Sequence, residues 1–214
     1  MSEEDILTTP EWLKVARELH SMSQVGLEHA QNGFETERYE RLRELAAEIV
    51  SKQSTLSAEE VSASFAMQPG YITPKVDVRA AVFHDGKILL VKEVNDGRWS
   101  MPGGWADVGD TPSEAILREV REESGFDARV LSVVGIYDAN RVPNEEWMPF
   151  YHAYKLLFLC EITGGEARTS HETPDVGFFG IDEIPPLSLF RTTMAHIKDA
   201  FAQNGNPATG TVIE

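Results

Sequence analysis

Between Thr111 and Gly125 the chain spells out one helix with both ends marked. Thr111 suits the cap, Pro112 the first helical position, and Glu114 completes a Thr-x-x-Glu capping box. Gly125 supplies the stop, because a residue without Cβ enters the left-handed conformation that ends helices. Within those limits Glu119, Glu122 and Glu123 fall at i, i+3 and i+4, so their carboxylates crowd one face of the last turns. This works against the helix. Like charges at i, i+4 cost roughly 0.2–0.5 kcal/mol per pair, and exposed acids near a helix C-terminus oppose the macrodipole by about 0.3–1 kcal/mol each. A hard divalent cation offsets both, since Mg²⁺ takes oxygen ligands from few carboxylates plus substrate phosphates. On three glutamates alone, a solvated acidic face explains the pattern equally well.

The residues ahead of the helix shift that balance. Met101-Pro-Gly-Gly-Trp105 places glycines where a backbone carbonyl can approach a metal or bare amides an anion. Together with Arg118 beside Glu119, the whole stretch resembles the Nudix box, G-x5-E-x7-R-E-U-x-E-E-x-G-U, with U aliphatic or bulky apolar. Gly104, Arg118, Glu119, Val120, Glu122, Glu123, Gly125 and Phe126 match, and Asp110 stands where the pattern has Glu. A pattern this long at fixed spacing is specific in a way that a lone glycine motif is not. The resemblance implies that Glu119, Glu122 and Glu123 bind Mg²⁺ or Mn²⁺ and, directly or through a neighbour, activate water. It implies further that Arg118 orients Glu119 and that the carbonyl of Gly103 or Gly104 completes the metal's inner sphere. The shorter Asp110 would reach Arg118 or the loop differently from a glutamate.

The surroundings of the box predict an α+β fold. From Pro10 to about Ser51 apolar residues recur at helical spacing, Trp12, Ala16 and Leu19 on one stripe and Leu42, Leu45, Ala46 and Ile49 on another, with a break at Asn32-Gly33. A third helix is expected from Ala58 to Ala66, and Gln68-Pro69-Gly70 marks a boundary between an N-terminal helical domain, 1–68, and a catalytic domain, 69–214. Val76–Phe83 and Lys87–Glu93 read as strands joined at Asp85-Gly86, Val130–Tyr137 and Tyr154–Ile162 as further strands, and Thr192–Gln203 as a last helix before a frayed tail. Strands outnumber helices there, which points to a mixed sheet with helices packed on it. The Nudix resemblance implies the same architecture, an α/β/α sandwich with a mixed sheet. The helical segment, with Glu11-Trp-Leu-Lys-Val-Ala-Arg-Glu-Leu19, Gln24-Val-Gly-Leu27 and Phe34-Glu-Thr-Glu-Arg-Tyr39, is similar to the N-terminal domain of one Nudix subgroup. So are Pro102–Gly109, Phe178-Phe179 and Pro185-Pro-Leu-Ser188. Members of that subgroup are assigned to ADP-ribose and CDP-choline pyrophosphatase activity.

Charge narrows the partners. With 19 Lys and Arg against 35 Asp and Glu the net charge is −16, which repels polyanions and makes duplex nucleic acid a poor partner. The acidic start, the absence of a membrane-length apolar run and the single Cys160 in an apolar stretch predict a soluble cytoplasmic protein with a buried thiol and no internal disulfide. The six histidines show no ligand spacing, which argues against zinc. The apolar stripes of the two N-terminal helices would serve a homodimer as readily as their own domain, with Trp12, Leu19 and Leu42 at the interface.

Beyond the box, the candidates are single residues. Glu172, in Ser170-His-Glu-Thr-Pro174, is the distal candidate for general base, at a position where related enzymes often carry an acid; a merely solvated loop acid is the alternative. Glu145 and Glu146, beside Trp147, are weaker candidates of the same kind. For substrate, Arg79 and Arg98 can fork onto phosphate, Trp99 can stack on a base, and Gly104 admits close approach. Surface charge and a half-buried core ring are the alternatives for these. The expected activity is hydrolysis of the diphosphate in a nucleoside diphosphate linked to X, such as ADP-ribose or CDP-choline. The alternatives are a nucleoside triphosphate or RNA-end pyrophosphohydrolase, and a non-catalytic Nudix-like regulator. The last would be signalled by lost glutamates, which here are intact.

Overall fold

The computed structural model describes residues 10–67, 70–139 and 152–214. They separate into two compact units, one of residues 10–74 with His152, the other of residues 75–139 and 153–214.

The first unit is built from helices α1 (Glu11–His29), α2 (Gly33–Ser51) and α3 (Ala58–Ala66). Asn32 caps α2 by accepting from the Glu35 amide at 3.0 Å, and Ser57 closes a capping box with Glu60 at the head of α3. The helices bury Ala16, Ala46, Ala47, Val50, Val61 and Phe65 against one another, with Trp12, Leu19 and Ile49 packed around them. A Cβ at position 26 would meet the Tyr39 ring at 2.2 Å, so Gly26 is what lets α1 and α2 close at that turn. Trp12 and Leu19 are therefore partly consumed within this unit and Leu42 is half-buried, whereas Val15 and Met22 face outward.

The second unit is one mixed sheet. Strands β1 (Lys75–His84) and β2 (Lys87–Lys92) form the hairpin expected of Asp85-Gly86, with φ of 49° and 74° at the turn and His84 opposite Lys87. β3 (Trp99–Ser100), β4 (Gly103–Trp105), helix α4 (Pro112–Ser124), β5 (Phe126–Asp138), β6 (Ala153–Gly165), β7 (Asp175–Phe179), α5 (Met194–Gly205) and β8 (Val212–Ile213) follow. The strand order is β3-β2-β1-β6-β5-β8, with β4 also on β1 and β7 also on β2. β1 runs parallel to β6 and β5 to β8, and the remaining pairs are antiparallel.

β1 lies inside the sheet and feeds a core on each face. Val78, Ala80 and Val82 pack with Ala115, Ile116 and Val120 of α4, while Ala81 packs with Leu157 and with Ile197 and Ala200 of α5. The result is the α/β/α sandwich expected from the sequence. Cys160 is buried in the α4-side core, where desolvation pushes its thiol up to about 12. Two expectations need correction. The tail beyond Asn204 is not merely frayed, because Val212 and Ile213 pair with Gly135 and Ile136. The last helix starts at Met194 with Thr193 as its cap, not at Thr192.

Candidate active site

The site forms where the edge of β4 meets the end of α4. Gly103 pairs with Arg79 and Gly104 with Val78 across β1 and β4. Gly103 has φ of 145°, and a Cβ there would lie 2.0 Å from the Val78 carbonyl oxygen, so no side chain fits. A Cβ on Gly104 would come within 3.1 Å of the Glu119 carboxylate. The two glycines thus bring bare backbone against the acidic helix. The Gly103 amide donates to Glu123 Oε2 at 2.8 Å.

Helix α4 starts and stops as its sequence dictates, with the Thr111–Glu114 capping box formed and Gly125 in the left-handed conformation at φ 80°. Its last turns separate the three glutamates by environment. Glu123 is buried, and desolvation pushes its carboxyl up to about 7; Arg79 and the Gly103 amide oppose this, and Glu93 and Glu119 add to it. Glu119 is raised in the same direction by burial, against the pull of Arg118. The Glu122 side chain is 61% exposed.

Arg118 ties the acids together. Its Nη1 donates to Glu119 Oε1 at 2.9 Å and lies 3.5 Å from Glu122 Oε2; its Nη2 donates to Asp107 at 3.1 Å and Asp110 at 3.2 Å. Asp110, shorter than the family's glutamate, still reaches Arg118 directly. The repulsion on this helix is therefore met partly from within, by Arg118 and by the Gly103 amide.

Among the described residues, no three His, Cys, Asp or Glu side chains converge closely enough to hold a metal ion. Glu119 is turned onto Arg118 and Glu123 onto Gly103. The donor chemistry nevertheless fits a hard divalent cation: three carboxylates share one helix end, and burial disfavours the charge of two of them.

The other sequence candidates are scattered. Arg79 is 3% exposed; its Nε and Nη2 are engaged by Asp77 at 2.9 and 3.0 Å and its Nη1 by the Met101 carbonyl at 3.2 Å. All three of its guanidinium nitrogens thus have partners inside the domain. Trp99 is half-buried in the α5-side core, edge-on to Phe179 at 4.9 Å, with Pro186 O and the Ser188 amide bonded to its backbone. The ring thus packs on one side against the core and keeps part of its surface open. Arg98 is exposed at the end of the β2–β3 turn. Glu172 is exposed too, in a loop whose next residue, Thr173, donates through Oγ1 to the Glu123 carbonyl at 2.7 Å. Glu145, Glu146 and Trp147 lie outside the described residues.

Sequence reasoning missed Thr173, Asp77 and Lys155. Asp77 and Lys155 had a signal: each is a charge flanked on both sides by apolar or aromatic residues within a strand. Thr173 had none, since only the fold brings it to α4.

Sheet, glycine loop and acidic helix together define a Nudix-type hydrolase domain. Residues 73–201 match the NUDIX domain, and the chain belongs to the Nudix hydrolase family. Residues 10–65 match the UDP-X-like, N-terminal oligomerisation domain. YjhB of Bacillus subtilis (strain 168), named as a candidate ADP-ribose pyrophosphatase, is 35% identical over 206 residues, 95% of this chain and 97% of its own. A UDP-X diphosphatase crystal structure is 33% identical, with a TM-score of 0.61 over 95% of this chain and 98% of that one. An ADP-ribose pyrophosphatase from Streptococcus suis 89-1591 is 38% identical, with a TM-score of 0.60 over 66% of this chain and all of its own.

Proposed function

We propose that this chain hydrolyses the diphosphate of a nucleoside diphosphate joined to a second moiety X, releasing a nucleoside monophosphate and phosphorylated X. The observation that carries this reading is the intact trio of Glu119, Glu122 and Glu123, with Glu123 tied to the backbone of the glycine loop. ADP-ribose is the first substrate to try, because relatives similar over most of their length bear that name. UDP-linked sugars come next on the strength of the UDP-X diphosphatase likeness, and CDP-choline after them. The charge of −16 weighs against RNA ends.

Glu119, Glu122, Glu123 and the Gly103 carbonyl would hold Mg²⁺ or Mn²⁺. Such an ion neutralises phosphate oxygens and lowers the pKa of water. Arg118 keeps Glu119 oriented, and Glu172, on the loop that Thr173 fastens to α4, is the candidate to take the water's proton. Arg98, exposed and without an ion-pair partner among the described residues, is the better placed of the two arginines for a substrate phosphate. Trp105, 39% exposed next to Gly104, stands beside Trp99 as a second ring to stack on a base. The helical unit supports a homodimer, and Val15 and Met22 are the side chains to test there.

The experiment is phosphatase-coupled phosphate release across ADP-ribose, UDP-sugars, CDP-choline and NADH, and inorganic-pyrophosphatase-coupled release for nucleoside triphosphates, with Mg²⁺ or Mn²⁺. Turnover confined to linked diphosphates supports the reading. Preference for triphosphates would replace it with a nucleotide-pool activity.

A further inference from the structure

Three buried charges lie behind the glycine loop. β1 sets Asp77 opposite Trp105 of β4 and Lys155 of β6, and two residues along it sets Arg79 opposite Gly103. Asp77, Arg79 and Lys155 are 2%, 3% and 2% exposed. Asp77 is the hub: its oxygens accept from Arg79 Nε at 2.9 Å, Arg79 Nη2 at 3.0 Å and Lys155 Nζ at 3.1 Å. One guanidinium nitrogen, Nη1, is left over, and it donates to the Met101 carbonyl at 3.2 Å. The next amide on β1, that of Ala80, donates to the Pro102 carbonyl at 2.9 Å. Two successive carbonyls of the loop are thus gripped from β1, and the amide that follows, Gly103, is the one bonded to Glu123.

Stability does not explain this cluster. Well-packed apolar side chains in place of a buried ionic group are often neutral or stabilising, because the desolvation of the charges is avoided. Direction does explain it. A guanidinium locked bidentately on a carboxylate has its other N–H groups aimed along fixed lines, which an apolar contact cannot achieve.

We propose that Asp77 and Lys155 are positioning residues that, through Arg79, fix the Met101–Gly104 loop against α4 so that the Gly103 backbone and Glu123 keep the spacing a divalent cation requires. This rests on Glu119, Glu122 and Glu123 being the metal-holding set. In this arrangement Arg79 never touches substrate.

The test is Mn²⁺ binding followed by electron paramagnetic resonance, with ADP-ribose turnover in parallel, for the full chain and for Asp77→Asn, Arg79→Lys and Lys155→Met. Asp77→Asn leaves Arg79 one acceptor oxygen in place of two, and Arg79→Lys keeps the charge without the fork. Both are expected to weaken Mn²⁺ binding by about 10- to 100-fold, the usual effect of losing a group that orients a metal ligand. Lys155→Met should weaken it less, and the nucleotide KM at saturating Mn²⁺ should stay unchanged in all three. Undiminished Mn²⁺ affinity would overturn the proposal. So would a raised nucleotide KM with intact Mn²⁺ binding, which would make Arg79 a phosphate contact. Should Asp77→Asn fail to fold, Lys155→Met and Arg79→Lys carry the same comparison. A wild-type protein that binds Mn²⁺ yet turns over no linked diphosphate would sink the functional reading, while the binding comparison would still decide the brace.

Discussion

Burial holds the Glu123 carboxyl up to about 7, so on the proposed reading proton and metal would compete for it near neutral pH. Divalent metal is expected to bind more weakly as pH falls below about 7 and to release a proton on binding there. Calorimetry in buffers of different ionisation enthalpy measures that release. The metal-free protein should respond in the opposite sense. A carboxyl raised on folding contributes stability that is full below the ordinary value of 4.5 and lost as pH rises through about 7, visible as a falling denaturation midpoint. Gly103→Ala tests the backbone: with φ of 145° and the Val78 oxygen 2.0 Å from the added Cβ, the loss should be about 1–3 kcal/mol or more by urea denaturation. At this scale legibility was uneven. The box glutamates and Arg118 could be read because their spacing on one helix fixes their grouping. The surroundings of Arg79 and Trp99 could not, because exposure is set by the fold and not by spacing. Alternation along β1 says that Arg79 shares a face with Asp77, but not that this face is covered.

Elements with chemical punctuation were the readable ones. Helix α3 occupies Ala58–Ala66 as expected, the Asp85-Gly86 hairpin closes where its turn residues demand, and α4 runs between the cap and the stop that its sequence names. β3, β4 and β8 span two or three residues, too few for any periodicity, and are defined only by the neighbours they pair with. Yet β4 carries the site, since its pairing with β1 is what sets Gly103 against Glu123. For α4 the cap is testable directly. Thr111→Ala removes the acceptor for the Glu114 amide and should lower stability by about 0.5–2 kcal/mol in denaturant melts, with the metal-free protein the more sensitive form.

At the scale of the molecule, an acidic chain has joined a small helical unit to a Nudix domain, and the former matches an oligomerisation domain. If the helices pair two copies, sedimentation should give twice the chain mass, and charged residues at Val15 and Met22 should halve it while the helical content is kept and the melting temperature falls towards a concentration-independent value. On the proposed reading hydrolysis depends on the three glutamates, and Glu122 is the cleanest one to alter because its side chain is exposed. The most direct measurement is therefore mass spectrometry of ADP-ribose incubated in ¹⁸O-labelled water with Mg²⁺ or Mn²⁺, for wild type and Glu122→Gln. The account predicts AMP and ribose 5-phosphate with one product phosphate labelled, and loss of both products in the variant and with chelator. Cleavage that survives Glu122→Gln and chelation would contradict it.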